Sequence, residues 1–144
     1  MDKKHLVWDF LRITREHRKV FEKSISSLEI HPSQHHFLMH ISLNGACTQN
    51  SIAEAMNISA ATVAVSLKKL EKGGYIEKRI SPEDNRSNLI ALTEKGEDVV
   101  TKSKLLFEEI DRKMFESITE EQQEQLHKYM EQIINNLTSL EENK

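Results

Sequence analysis

Seven histidines stand in this 144-residue chain, and four of them, His31, His35, His36 and His40, crowd one short stretch. His36 and His40 are one helical turn apart, so on a helix they share a face and have the spacing of a two-nitrogen ligand pair. No cysteine or carboxylate lies close in sequence to complete the set, although folding could bring His5, His17 or a glutamate to it. The expectation for His35, His36 and His40 is a surface or dimer-contact role, with no metal and no cofactor. Cys47, the single cysteine, excludes an intramolecular disulfide and suits a reducing compartment. It reads as a small buried residue, with redox sensing as the alternative. There is no glycine-rich phosphate loop, spaced metal quartet or nucleophile beside a positioned base, so the chain does not read as an enzyme.

The elements that must carry these residues are marked by the chain's breakers. All four glycines and both prolines lie between positions 32 and 96. Two breaker-free flanks around a punctuated middle predict long helices bracketing a compact module. In the first flank Val7, Leu11, Phe21, Ile25 and Leu28 run beside a second stripe of Leu6, Phe10, Ile13, His17 and Val20, a face wide enough for more than one neighbour. Pro32 opens a second helix, whose inner stripe is Phe37, Leu38 and Ile41 and which Asn44-Gly45 ends. In the last flank Val99, Val100, Leu106, Phe107, Ile110 and Met114 line one helix. Thr119 to Gln122 reads as a capping box opening another, whose Leu126, Met130, Ile133, Leu137 and Leu140 alternate spacings of four and three. That run is short for an autonomous coiled coil and needs a partner. The terminal flanks, 1–31 and 97–144, are expected to form a dimer interface, with intrachain core as the alternative.

The middle reads as helix, tight turn, helix. Asn50 to Met56 is a short helix with Ile52, Ala53 and Met56 inward. Asn57 suits a left-handed turn, and Ser59 is a natural N-cap for a second helix to Lys72. There Val63, Leu67 and Leu70 face inward, and Gly73-Gly74 ends the helix. Tyr75 to Ile80 then alternates as a strand with Ile76 and Ile80 on one face. A turn-rich loop from Ser81 to Ser87 leads to a second strand, Leu89 to Leu92, and Thr93 caps the next helix. This is a helix-turn-helix followed by a hairpin, or wing.

Residues 48–96 resemble the winged helix-turn-helix core of the MarR family of bacterial transcription regulators. The match is carried by Ser59-Ala60-Ala61-Thr62-Val63, by Leu67 through Leu70-Glu71-Lys72-Gly73-Gly74-Tyr75-Ile76, and by Asp84-Asn85-Arg86 followed by Leu92-Thr93-Glu94-Lys95-Gly96. The resemblance implies a mainly α fold with a small β-hairpin. It divides the chain into an N-terminal dimerisation helix (1–31), a DNA-binding module (32–96, recognition helix about 59–72, wing about 75–92) and C-terminal dimerisation helices (97–144). It further implies a homodimer on a pseudo-palindromic operator in double-stranded DNA, often with repression relieved by a ligand. The family's pocket between dimer helices and winged module takes small anionic aromatics, for which Trp8, Phe10, His17 and Phe37 are candidates.

With Val63, Leu67 and Leu70 inward, the opposite face of the second helix carries Thr62, Val65, Ser66 and Lys69, with Ser59, Ala60 and Ala61 at its tip. This face has no Arg, Asn or Gln, the side chains that read guanine or adenine through paired hydrogen bonds. Specificity is therefore expected to rest on thymine methyls, DNA shape and the wing, and the operator to be A/T-rich. Arg86 is expected in a narrow minor groove, oriented by Asp84. Lys68, Lys69, Lys72, Lys78 and Arg79 are phosphate-contact candidates.

The net charge of −3 counts against nucleic acid only until it is divided. Residues 59–96 carry 7 Lys/Arg against 5 Asp/Glu, whereas 97–144 carry 6 against 12. The field at a contact surface is set locally. A mean hydropathy of −0.57 and the lack of an apolar run near the ~20 residues of a membrane span point to a cytoplasmic protein without membrane contact. The alternatives are a metal- or redox-responsive regulator of the same fold and a winged-helix protein-interaction module that does not bind DNA.

Overall fold

The computed structural model describes residues 2–84 and 88–142. Six helices and one antiparallel hairpin follow each other as α1 (Lys3–Ser26), α2 (Pro32–Asn44), α3 (Gln49–Met56), α4 (Ala60–Lys72), β1 (Ile76–Ile80), β2 (Asn88–Leu92), α5 (Glu94–Met114) and α6 (Glu120–Glu142). The mainly α expectation holds, and so does the order of elements. The chain divides into two compact units, 1–108 and 109–144. Among the described residues no helix is long and apolar enough to cross a membrane.

The first unit is built around Ile25, Leu38, Ile41, Ile52, Val63, Leu70 and Ile90, each 2% exposed or less. The predicted inward residues of α2 and α4 are all buried here. Capping explains the boundaries. Thr48 Oγ1 accepts from Ser51 N (3.1 Å) and starts α3, and Ser59 Oγ accepts from Thr62 N (3.1 Å) and starts α4. Asn57 sits between them at φ 52°, ψ 47°, the left-handed conformation its short polar side chain tolerates. Gly45, at φ 75°, ends α2 as expected.

Three expectations need correction. His35 is neither a surface nor an accessible contact residue, since it is 1% exposed. It sits three residues before Leu38, on the same helical face, and so enters the core with it. Ile80 does not share the burial of Ile76: it is 68% exposed against 3%. It pairs with Asn88 at the far end of the hairpin, whereas Ile76 pairs with Leu92 at the base, over the core. The wing also has an unforeseen neighbour. Cys47 forms an antiparallel bridge to Ile90, with N–H donation in both directions (3.1 and 2.7 Å), and is half-buried, not buried.

Residues 3–20 of α1 are exposed throughout, including Leu6, Val7, Trp8, Phe10, Leu11, Ile13 and Val20. The last turns of α1, with Phe21 and Ile25, pack on the core, as does Leu28 just beyond the helix.

In the second unit Thr119 and Gln122 form the predicted capping box. Thr119 N donates to Gln122 Oε1 (3.0 Å), and Gln122 N donates to Thr119 Oγ1 (3.3 Å). The apolar stripe of α6 is largely exposed at Leu126, Ile133, Leu137 and Leu140.

Candidate nucleic-acid interface

Helix α4 buries Val63, Leu67 and Leu70 and leaves its other side open. Ser59, Ala60, Ala61, Thr62, Val65, Lys68 and Lys69 are exposed, and Ser66 is half-exposed. The sequence-predicted contact residues of this helix thus share one solvent-facing surface. Two hydroxyls are already engaged, because Ser59 Oγ and Thr62 Oγ1 lie 2.8 Å apart within the cap. Among the described residues Lys68, Lys69 and Lys72 make no side-chain hydrogen bond or ion pair, so their ammonium groups are available to an external anion.

On the wing, Lys78 pairs with Glu71 (3.7 Å) and Arg79 with Glu77 (2.7 Å). These pairs are exposed and weakly held, so each cation can be redirected, at the cost of leaving a carboxylate behind. Asp84 is exposed on the loop after β1, and Ser81 Oγ accepts from its backbone N (3.4 Å). Asn85, Arg86 and Ser87 lie outside the described residues, so the expected Asp84–Arg86 pair does too.

What fixes α4 relative to the wing is a clamp that pattern reading had treated only as a match. Tyr75 N donates to Leu70 O (3.0 Å) at the end of α4, and Thr93 N donates to Tyr75 O (3.1 Å). Thr93 Oγ1 donates to Gly74 O (2.5 Å) and accepts from Gly96 N (3.2 Å). Lys95 Nζ donates to Gly73 O (2.7 Å) and stands 4.3 Å from the centroid of the Tyr75 ring, a cation–π position. The ammonium group caps the C-terminal end of α4, where the helix dipole favours a cation. Gly96 is buried beneath, and a Cβ there would overlap the Tyr75 carbonyl oxygen. Gly-Gly-Tyr and Thr-Glu-Lys-Gly are therefore two halves of one joint between α4, the hairpin and α5. The clue was the pairing of two glycine-bearing motifs at the two ends of a hairpin.

The four effector-pocket candidates differ in exposure. Trp8 and Phe10 are 69% and 44% exposed on α1, while Phe37 is 4% exposed in the core. His17 stacks on Phe21 at 6.3 Å. A separate open groove of about 370 Å³ lies between the end of α2, the hairpin and α5, lined by Ser42, Arg79, Leu92, Glu97, Thr101 and Lys104 among others. Burial pushes the Cys47 thiol up from its ordinary pKa, opposed in part by a hydrogen bond with Ser51. Among the described residues no three His, Cys, Asp or Glu side chains gather as a metal site.

Helix, left-handed Asn turn, helix and clamped hairpin define a winged helix-turn-helix protein. The sequence profile of the MarR family matches residues 30–87. The HTH-type transcriptional regulator BilQ of Clostridium symbiosum is 33% identical over 98 residues, 68% of each chain. BilQ of Clostridioides difficile is 24% identical over 99% of both chains. Among solved structures, the Staphylococcus aureus MepR–DNA complex superposes with a TM-score of 0.78 at 25% identity, over 91% of this chain and 98% of that one. A MarR crystal structure shares the fold at 22% identity and a TM-score of 0.66, over 100% of this chain and 96% of that one. The chain belongs to the MarR family and is a transcriptional regulator of that family.

Proposed function

We propose that the protein is a repressor that binds a pseudo-palindromic, A/T-rich operator as a homodimer and releases it on binding a small anionic or aromatic effector. The observation that carries this reading is the exposed face of α4. It offers Ala60, Ala61, Thr62 and Val65 to base edges, with unpaired Lys68 and Lys69 beside them. Methyl-bearing side chains favour the thymine C5-methyl group in the major groove, and lysines neutralise phosphates without reading sequence. Ser59 and Ser66 complete the base-facing set, Arg79 joins the phosphate contacts, and Arg86, with Asp84, takes the minor groove. MepR, one of the similar proteins, has been crystallised on DNA. The dimer is supported by the exposed apolar residues of α1 and α6. An apolar surface of that extent marks an interaction site. The terminal helices 1–31 and 97–144 then serve dimerisation, and 32–96 reads DNA.

Selection of bound sequences from a random DNA pool tests the reading. The expected product is two A/T-rich half-sites about one helical turn apart. A G/C-rich consensus, or failure to select any site at low salt, refutes it. Thermal-shift screening with aromatic acids tests the effector, because a ligand of the native state raises apparent stability.

A further inference from the structure

His35 is the buried titratable group that DNA recognition does not use. It is 1% exposed, and its Nε2 has no hydrogen-bond partner among the described residues. Its surroundings are aromatic. Phe21 of α1 and Phe107 of α5 stack on each other with centroids 4.7 Å apart, and the His35 ring meets both edge-on, at 6.4 and 5.7 Å. The imidazole thus wedges the junction of α1, α2 and α5. The same helix also contributes Phe37, Leu38 and Ile41 to the core shared with α3, α4 and the hairpin. A disturbance at His35 therefore bears on the seat of the helix-turn-helix.

We propose that His35 is a proton-sensitive wedge: acidic pH favours a cation that cannot be held unpaired beside the Phe21–Phe107 stack, and so loosens the α1–α2–α5 junction and weakens DNA binding. A buried polar nitrogen without a partner is costly even when neutral, and a buried cation without one is far more so. Among the described residues no carboxylate acts on His35 to offset it. On α2 the charged neighbour that acts on His35 is His36, which repels a second positive charge. On α1, His17 lies on Phe21, and Arg18 and Glu22, the charged residues near Phe21 in sequence, are exposed. On α5 the charged residues nearest Phe107 in sequence, Lys104 and Glu108, are exposed as well.

Burial, with the His36 charge second, holds the His35 pKa below its ordinary value. The sign follows. The unfolded chain takes up the proton first, so the stability carried by neutral His35 is fully present above the unfolded histidine pKa and is lost as pH falls below it. A histidine protonated only when unfolded shifts the folding equilibrium by about tenfold at one unit below ~6.5.

The test is denaturant unfolding of the full chain at about pH 7.5 and about pH 5.5, at fixed ionic strength and protein concentration, for wild type and His35→Leu. The wild-type folding constant is expected to fall about tenfold more than that of the variant. Equal losses overturn the proposal. Should His35→Leu not fold, NMR titration of the His35 ring in the wild type decides: protonation at an ordinary histidine pKa overturns the proposal, and resistance to protonation well below it supports the proposal. The DNA half rests on the operator-binding reading and is measured by anisotropy on the selected site at both pH values. No binding at either pH refutes that reading while the unfolding comparison still judges His35. Equal acid sensitivity of operator affinity in both proteins overturns the coupling.

Discussion

Replacing Gly96 with alanine strikes the joint between α4, the hairpin and α5. A Cβ at this position would overlap the Tyr75 carbonyl oxygen and lie 3.2 Å from the carbonyl carbon and 3.3 Å from Leu92 Cδ2. The carbonyl cannot swing aside, because it accepts from Thr93 N, and the same residue's N–H is bonded to Leu70 O. Relief requires the first turn of α5 to back away from the end of α4, breaking the Thr93–Tyr75 hydrogen bond. Overpacking of this kind costs about 1–3 kcal/mol, and the lost bond adds ~1 kcal/mol. Alanine's better helix propensity returns ~1 kcal/mol. The balance is a destabilisation of about 1–3 kcal/mol, or a fall in Tm of roughly 2–12 °C for a chain of this size. Thermal unfolding followed by circular dichroism, at one protein concentration, reads it directly. Gly45→Ala is the comparison: Gly45 also needs its glycine, at φ 75°, but its Cβ would meet nothing within 4 Å. Its loss should reflect positive-φ strain alone, about 1–3 kcal/mol. If Gly96→Ala is as stable as the parent or more so, helix propensity governs the position and the close approach is not what demands glycine.

Four further outcomes are expected. Ser59→Ala removes the acceptor for Thr62 N and should cost ~1 kcal/mol in urea unfolding; no measurable change would mean that water caps α4 equally well. Lys69→Ala should reduce the slope of log affinity against log salt by about one, as expected for one lost phosphate contact. Arg86→Ala should instead cut specific affinity sharply while the dimer persists in sedimentation, and near-unchanged operator affinity at fixed salt would remove Arg86 from the site. Because burial raises the Cys47 thiol pKa, alkylation by iodoacetamide should lag behind that of the unfolded chain and catch up only at higher pH. Equal rates near neutrality would contradict the burial.

The sequence revealed most where a residue's local chemistry decides its conformation. Ser59, Asn57 and the Thr119–Gln122 pair act on backbone groups within a few positions, so their roles are readable without tertiary knowledge, and each appears as expected. The inward stripe of α4 is equally local, because a helix of fixed period has one apolar face. Legibility fails where distant segments meet. His35 and His36 are chemically identical neighbours, and only the arrival of Phe21 and Phe107 from other helices separates the buried ring from the exposed one. Ile76 and Ile80 share a strand face, but how far the core extends beneath a hairpin is not written in the alternation. The contact candidates of α4 lie on its open side because the buried stripe leaves them nowhere else to point. Neither the Arg79–Glu77 pair nor the partial use of Thr62 by its own cap was foreseen.

The bridge between Cys47 and Ile90 consists entirely of main-chain groups. An isolated two-stranded hairpin is marginal in water, so this single bridge helps to fix the direction of β2. The side chain at position 47 contributes nothing to those bonds. Any residue able to adopt an extended backbone there would hold the wing at the same pitch. The thiol is therefore free to vary independently of the wing it adjoins, and its chemistry can be exchanged without redrawing the wing's backbone.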